Sequence, residues 1–278
     1  MTLASDGTAW ASRRIVSDDG VELMTRTDGP ADASGVIATL LCCNSLGTSL
    51  EMWDAQIPMW SAERRVLRYD QRGHGASDAP PPPYDLARLG KDALAVLDAH
   101  GIERADVCGL SLGGLVALWL AVHHPERVDR LILACTAARI GDHDGWEQRA
   151  GAVLRDGTSA VAPLVIDRFF SPGFRERSPA TVAMIAAALC ATSDAGYAGC
   201  CAALADGDLG DALHLVRSDT LVIAASQDVA TPPTAMHELH RGIGRSRWLE
   251  IEAAGHLANV ERPKEFGAAV TSFLSSST

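Results

Sequence analysis

The sequence predicts an α/β domain built on a mostly parallel sheet flanked by helices. Continuous apolar runs, typical of strands buried on both faces, alternate with segments whose apolar residues recur at helical spacing. The runs predicted as strands are residues 13–16, 21–26, 36–43, 65–69, 105–108, 128–135, 220–224 and 248–251. The helices predicted between and after them are residues 86–100, 112–124, 233–240 and 263–274. Such alternation is typical of parallel strands joined by crossover helices.

One long segment, residues 138–215, interrupts this alternation. It is rich in Ala and carries helix-like patterns with few strand signals. We therefore expect a core formed by residues 1–137 and 216–278, with residues 138–215 inserted as a helical cap. A cap at this point of the chain would cover the carboxyl ends of the strands, where open α/β sheets bind ligands.

Charge and hydropathy limit the possible partners. The formal net charge is −11, so the overall field repels polyanions, and neither nucleic acid nor an anionic membrane is an expected partner. An anionic small molecule would need local cations at its site. No apolar run reaches the roughly 18 residues of a membrane span, and residues 1–14 lack the apolar segment of a signal peptide. The sequence leaves open whether the chain forms a homo-oligomer.

The cysteine pattern indicates neither a disulfide framework nor a metal site. The seven cysteines are Cys42, Cys43, Cys108, Cys135, Cys190, Cys200 and Cys201. Their number is odd, no two have the C-x-x-C spacing, and most lie in apolar stretches, which predicts free thiols in a reducing, cytoplasmic compartment. We expect no cofactor, because no dinucleotide fingerprint, phosphate-binding loop or metal-ligand cluster is present.

The candidate nucleophile is Ser111, in the sequence Gly-Leu-Ser-Leu-Gly at residues 109–113. This G-x-S-x-G pattern lies between a predicted strand and a predicted helix, the context of the nucleophile turn in the α/β-hydrolase fold. A sharp turn strains the serine backbone, and the glycines remove side chains that would collide across it. The alternative is a glycine-rich helix start in which Ser111 is an ordinary cap. The structural context favours the nucleophile.

A serine nucleophile needs a base, and the base needs an orienting acid. On this fold the chain order is serine, acid, histidine. Asp228 follows the strand at residues 220–224, and His256 follows the strand at residues 248–251. We predict that they are the acid and the base. The alternatives are a helix-capping role for Asp228 and a structural role for His256.

An oxyanion hole should accompany the nucleophile. One donor is expected to be the backbone N–H of Leu112, directly after the nucleophile, and the second that of Leu46, in the loop after the third strand. Asn44 and Ser45, in the same loop, are candidate substrate-binding residues. They could instead hold the loop by hydrogen bonds or cap the next helix.

These motifs belong to a wider resemblance, which runs from about Leu40 to Pro263. The chain resembles the 3-oxoadipate enol-lactonases, α/β-hydrolases of the bacterial β-ketoadipate pathway of aromatic catabolism. The segments that carry the resemblance are residues 44–48, 52–54, 68–78, 108–114, 136–141, 196–201 and 253–263. The serine motif is common to the whole superfamily, whereas the Asn-Ser-Leu-Gly loop and the cap segments narrow the resemblance to this family.

The resemblance implies a small anionic substrate, the enol-lactone of 3-oxoadipate, which is a five-membered ring bearing an acetate arm. Ser111 would attack the lactone carbonyl while His256 takes the proton. The acetate arm needs a cation, for which Arg139, at the start of the predicted cap, is the candidate. Trp146 would shape the pocket. The alternative for Arg139 is a surface ion pair.

Two other functions stay open at this point. A broad carboxylesterase, or a cofactor-free perhydrolase similar to haloperoxidases, would use the same triad. A receptor with the hydrolase fold would bind a small molecule but hardly hydrolyse it. The intact Ser-Asp-His order argues against this function.

Overall fold

A computed structural model describes residues 2–3, 9–30 and 37–276. Within these ranges nine strands form one sheet: β1 (Thr2–Leu3), β2 (Ala9–Val16), β3 (Glu22–Asp28), β4 (Thr39–Cys43), β5 (Arg65–Tyr69), β6 (Ala105–Leu110), β7 (Val128–Ala134), β8 (Asp219–Ala225) and β9 (Ser246–Ile251). The spatial order is β1-β2-β3-β5-β4-β6-β7-β8-β9. The six strands from β5 to β9 in this order are parallel, and β1 to β3 are antiparallel. The predicted fold class is confirmed.

Helices connect the parallel strands and cover both faces of the sheet. They are α1 (Ile57–Trp60), α2 (Leu86–Ala99), α3 (Leu112–His123), α4 (His143–Asp156), α5 (Thr158–Phe169), α6 (Pro172–Arg177), α7 (Pro179–Ala191), α8 (Asp194–Asp206), α9 (Pro233–Gly242), α10 (Ala258–Glu261) and α11 (Pro263–Ser275). Short 3-10 helices occupy Leu50–Trp53, Pro125–Arg127 and Gly210–Leu215. Most predicted elements recur with ends shifted by one to three residues, although the predicted start of the third strand, Val36, lies outside the described residues.

The apolar runs form the centre of the sheet. Every residue of β4 and β6 is buried, because both strands have neighbours on either side and helices on both faces. Helix α3 is apolar nearly all round, since it lies between the sheet and α2. A single residue, Ser111, separates β6 from α3, so the fold brings this turn to the middle of the sheet's carboxyl edge.

Helices α4 to α8 are inserted between β7 and β8, inside the segment predicted as the cap. No single helix of the described ranges is long and apolar enough to span a membrane; α7 and α8 reach that length and composition only as a pair bent by 94°.

One contact between the cap and the core is unusually close, backbone against backbone. A Cβ atom built on Gly196, in α8, would lie 2.2 Å from Cα of Gly73, in the loop after β5. A Cβ atom built on Gly73 would lie 2.1 Å from Cα of Gly196. Only a pair of glycines allows the helix and the loop to approach this closely.

We therefore expect Gly196→Ala to destabilise the protein. The methyl group forces the cap helix away from the loop, and such overpacking costs about 1–3 kcal/mol, more than the helix propensity that Ala adds. Thermal unfolding should show a Tm lowered by roughly 2–4 °C for each kcal/mol lost from the free energy of unfolding. Gly244→Ala is the matched control, because a Cβ atom there meets nothing within 4 Å. Equal Tm values for the two variants would contradict the close approach.

Candidate active site

Ser111 occupies a strained turn between β6 and α3. Its backbone has φ 59° and ψ −121°, in the left-handed half of conformational space that non-glycine residues rarely adopt. The residues after β7 stabilise this conformation. The N–H of Ser111 donates to the carbonyl of Ala134 at 3.0 Å, and its carbonyl accepts from Thr136 Oγ1 at 2.7 Å. Strain held in place by neighbouring strands is typical of a functional position.

The two glycines of the motif are required because a side chain at either position would collide with a neighbouring backbone. A Cβ atom on Gly109 would lie 2.1 Å from the carbonyl oxygen of Gly113, across the turn. A Cβ atom on Gly113 would lie 2.1 Å from the carbonyl oxygen of Cys43, on the neighbouring strand β4. The glycines therefore allow the turn to close and α3 to begin directly beside the sheet.

Asp228 and His256 form a buried pair at the same edge of the sheet. Asp228 follows β8, His256 follows β9, and Oδ2 of Asp228 lies 2.8 Å from Nδ1 of His256. The other acceptor positions of the carboxylate are also filled, by the N–H of Ala230 at 2.8 Å and by the N–H and hydroxyl of Thr231 at 3.0 and 2.8 Å.

These contacts keep the Asp228 carboxylate charged. Burial raises its pKa, but the imidazole of His256 and the hydrogen bonds from Thr231 together outweigh burial, so the pKa lies below its usual range. A charged acceptor at Nδ1 places the ring proton on that nitrogen and leaves Nε2 free to accept a proton. The pair therefore has the form of a general base with its orienting acid.

The loop after β4 is held by hydrogen bonds from its own side chains. Nδ2 of Asn44 donates to the carbonyl of Tyr69 at 2.8 Å, and Oδ1 of Asn44 accepts from Trp53 Nε1 at 2.8 Å. Asn44 is thus buried and fully engaged, and it does not line the cavity described below. The prediction that it contacts substrate is corrected, because both ends of its amide hold the loop instead. Ser45 does line the cavity, and its buried hydroxyl has no hydrogen-bond partner among the described residues.

A buried histidine fixes the next part of this loop. Nε2 of His74 accepts the N–H of Gly47 at 2.9 Å, while Nδ1 lies 3.1 Å from the carbonyl of Arg72. Burial lowers the pKa of His74 to about 4, so the ring is neutral at pH 7 with its proton on Nδ1. Between Ser45 and Gly47, the N–H of Leu46 donates to no acceptor within the described residues. Leu112, the first residue of α3, also has no intrahelical acceptor for its N–H.

Ser111 and His256 open onto a cavity of about 210 Å³ between the core and the cap. The other lining residues are Ser45, Leu46, Ile140, Gly141, Asp142, Gly145, Trp146, Arg149, Val165, Arg168, Phe169, Tyr197, Leu204 and Ala230. The walls are mainly apolar, with a few polar groups, as in most small-molecule sites. Within the described ranges, no three side chains of His, Cys, Asp or Glu lie close enough together to bind a metal ion.

Trp146 lies in the cavity wall, whereas Arg139 does not. Nε1 of Trp146 donates to the carbonyl of Ile140 at 2.5 Å, which holds the indole at the start of α4. Arg139 forms a β-bridge with Asp208 and an ion pair with its carboxylate at 3.5 Å, and both side chains are about half exposed. The prediction that Arg139 binds the substrate is corrected, because the bridge places its side chain at the surface. The arginines that line the cavity are Arg149 and Arg168.

A carboxylate that the sequence did not indicate joins the cap to the loop that carries His256. Glu261, in α10, is buried, and its Oε1 accepts the N–H of Ser171 at 2.7 Å and the N–H of Gly255 at 3.0 Å. Its Oε2 accepts the hydroxyl of Ser171 at 2.7 Å. Ser171 lies in the cap between α5 and α6, and Gly255 precedes His256. No local motif marks this role, because the three residues meet only in the folded chain.

Phe169 makes a second connection between the cap and the base. Its ring stacks on the imidazole of His256, with centroids 5.9 Å apart and planes inclined by 19°. Its carbonyl accepts the N–H of Leu257 at 3.0 Å. The end of α5 therefore fixes both the face of the imidazole and the backbone that follows it.

A serine at a strained strand-to-helix turn, beside a buried histidine–aspartate pair on a sheet of this topology, defines an α/β-hydrolase. The family model of the alpha/beta hydrolase fold matches residues 38–263, and the chain belongs to this family. Within the family, it is similar to 3-oxoadipate enol-lactonase 2 of Acinetobacter baylyi, with 42% identity over 90% of this chain and 92% of the relative.

Solved structures of an enol-lactonase and of an esterase are also similar to the chain. The enol-lactonase from Burkholderia xenovorans LB400 is 38% identical, with a TM-score of 0.91 over 95% of this chain and 100% of its own. A thermophilic esterase from Thermogutta terrifontis, solved with malate bound, is 26% identical, with a TM-score of 0.88 over 95% and 98%. The resemblance to the 3-oxoadipate enol-lactonases is confirmed.

We expect Glu261→Ala to impair both stability and turnover. It leaves the buried N–H groups of Ser171 and Gly255 unpaired, at about 1–3 kcal/mol each, and frees the loop that carries His256. Thermal unfolding and kcat on a 4-nitrophenyl ester measure the two effects. Glu261→Gln is the control, since its amide oxygen can still accept both N–H groups, and it should retain most of the stability and activity. A Tm for Glu261→Ala equal to that of the wild type would contradict this role.

Proposed function

We propose that this protein opens the lactone ring of 3-oxoadipate enol-lactone to give 3-oxoadipate, through an acyl-enzyme on Ser111. The observation that carries the proposal is that His256, held by Asp228 at 2.8 Å, lines the same small cavity as Ser111. The identity of the substrate is inferred from two enol-lactonases that match nearly the whole chain at 38–42% identity.

In the first half of the reaction, Oγ of Ser111 attacks the lactone carbonyl and Nε2 of His256 takes the hydroxyl proton. The resulting imidazolium is stabilised by the Asp228 carboxylate at Nδ1. The negative charge that forms on the carbonyl oxygen is expected to be stabilised by the N–H groups of Leu46 and Leu112. Both N–H groups belong to backbone that is held rigidly, one by the β4 loop and the other by the start of α3.

Collapse of the tetrahedral intermediate breaks the bond between the carbonyl carbon and the ring oxygen. The leaving group is an enolate, which is stabilised by resonance. It takes the proton from the His256 imidazolium to become the ketone, so that the imidazole is neutral again. Water, deprotonated by His256, then attacks the acyl-enzyme and releases the new carboxylate, and the proton returns to Ser111. The sum of the steps is lactone plus water to 3-oxoadipate.

The size of the cavity favours a small substrate over a broad range of esters. At about 210 Å³, it lies below the roughly 300–1,000 Å³ of sites that hold drug-sized ligands. A five-membered ring with one short arm suits this volume, whereas a long acyl chain does not. The second candidate is a small-ester carboxylesterase, which the esterase relative at 26% identity favours. We also propose a cytoplasmic location, because all seven cysteines are free.

The test of the substrate compares 3-oxoadipate enol-lactone with 4-nitrophenyl acetate. We expect a much higher kcat/KM for the lactone, with one equivalent of 3-oxoadipate formed for each lactone consumed, as measured by mass spectrometry. Hydrolysis of the nitrophenyl ester with no consumption of the lactone would reject the proposal in favour of the esterase.

The test of the mechanism uses variants of the proposed triad. Ser111→Ala should lower kcat by roughly six decades, because no other group supplies the nucleophile. Asp228→Asn should lower it by roughly four, because the amide favours the wrong tautomer of His256. Circular dichroism checks that each variant is folded. A folded Ser111→Ala protein with near wild-type turnover would remove Ser111 from the mechanism.

A further inference from the structure

The loop after β4 contains a β-turn formed by residues 45–48. The N–H of Thr48 donates to the carbonyl of Ser45 at 3.3 Å. Gly47, the third residue of the turn, has φ 75°, close to the value that a type II turn requires at this position. Leu46, the second residue, lines the cavity together with Ser111. The N–H of a second residue takes no part in the hydrogen bond of the turn, so the N–H of Leu46 stays available to a ligand.

The peptide bond between Ser45 and Leu46 connects this turn to the expected oxyanion hole. In a trans peptide the carbonyl and the N–H point in opposite directions, because the group is planar. The carbonyl of Ser45 points into the turn, where it accepts the N–H of Thr48, so the N–H of Leu46 points out of the turn. Any contact that fixes the direction of this carbonyl therefore fixes the direction of the N–H as well.

Two side chains donate to the same carbonyl. Oγ1 of Thr48 lies 2.8 Å from the carbonyl oxygen of Ser45. Nε2 of Gln71, in the loop after β5, lies 3.4 Å from that oxygen and 3.3 Å from the carbonyl oxygen of Asn44. Oγ1 of Thr48 is also 3.0 Å from Sδ of Met52. A thioether is a weak acceptor, so the hydroxyl proton of Thr48 is donated to the carbonyl.

These hydrogen bonds act on the peptide without contacting the substrate. Thr48 and Gln71 are buried, and neither is among the described residues that line the cavity. A donor on the carbonyl opposes rotation of the peptide plane, and it also polarises the amide, which makes the N–H of Leu46 a stronger donor. An oxyanion hole stabilises developing charge to the extent that its donors already have the right direction before the reaction.

We propose that Thr48 is a positioning residue of the oxyanion hole, with Gln71 in a supporting role. The hydroxyl of Thr48 holds the Ser45 carbonyl inside the turn and thereby directs the N–H of Leu46 at the oxyanion. This inference rests on the proposed hydrolysis through Ser111 and adds to it the side chains that orient one donor. It applies equally to a lactone and to an open-chain ester, because both reactions pass through the same oxyanion.

The first experiment measures kcat and KM of Thr48→Val, which removes the hydroxyl and keeps the shape of the side chain. The substrates are 3-oxoadipate enol-lactone and 4-nitrophenyl acetate. We expect kcat to fall roughly ten- to a hundredfold, less than the loss that removal of a whole donor causes. KM should hardly change, since the contact is made in the transition state. Thr48→Ser keeps the hydroxyl and should retain most of the activity.

The second measurement uses trifluoroacetone, an inhibitor that reproduces the oxyanion. Oγ of Ser111 adds to its carbonyl carbon, His256 takes the hydroxyl proton, and the carbonyl oxygen becomes the anion of a hemiketal. The inhibition constant should rise in Thr48→Val by about the factor by which kcat falls, because both depend on the same donor.

Thr220→Val is the matched control for the loss of a buried hydroxyl. Oγ1 of Thr220, at the start of β8, donates to the carbonyl of Ser218 at 3.0 Å, away from the cavity. It removes the same kind of hydrogen bond from the core. We expect it to lower Tm at least as much as Thr48→Val does, and to leave kcat and the inhibition constant for trifluoroacetone unchanged.

Three results would overturn the proposal: a folded Thr48→Val protein with wild-type kcat, a raised KM with unchanged kcat, or a lowered kcat with an unchanged inhibition constant for trifluoroacetone. If Thr48→Val does not fold, Gln71→Met takes its place, with a smaller expected effect and the same criteria. A wild-type enzyme that hydrolyses 4-nitrophenyl acetate but not the lactone rejects the proposed substrate, and the ester then carries the test of Thr48.

Discussion

The strained backbone of Ser111 is the constraint on which the rest of the site depends. A φ of 59° is tolerated because the sheet holds both sides of the turn: Ala134 and Thr136, after β7, bind its backbone, and Gly113 lets α3 begin against β4. The turn is therefore stable only while these strands are in register. Since β4, β6 and β7 are fully or largely buried, the position of the nucleophile is determined by the most stable part of the fold rather than by a mobile loop.

The base is held differently, by contacts that come from both layers of the molecule. Asp228 fixes one nitrogen of His256 from the core, while Phe169 covers the face of the ring from the cap. Glu261 joins these two layers directly behind the loop. The cap consequently has two roles in this structure: it closes the cavity, and it holds the imidazole. A variant in the cap can then change turnover without contacting the substrate, as long as it displaces Phe169 or the backbone around Ser171.

The parts of the site that follow from the sequence are those with a local signature. Ser111 lies in a motif between a strand and a helix, and Asp228 and His256 each lie in the loop that follows a strand, so periodicity and chain order are sufficient to propose them. The Arg139 side chain points to the surface because Arg139 forms a bridge with Asp208, 69 residues further along the chain. No local pattern in the sequence indicates this bridge. Arg149 was missed for a related reason. On an exposed helix a cation is ordinarily a solvated residue, and only the packing of α4 over the core shows that it faces a cavity.

The attachment of the cap at several separate places limits how substrate and product can enter and leave the cavity. The glycine contact between α8 and the β5 loop, together with the Glu261 hydrogen bonds, opposes any hinge motion that would lift the cap as one body, because such a motion would expose buried N–H groups. The lining residues that reach the surface include Gly141 and Gly145, at the start of α4, so the cavity meets solvent there. With the cap held in place, the cavity of about 210 Å³ cannot expand to admit a larger molecule, so its volume limits the size of any compound that reaches Ser111.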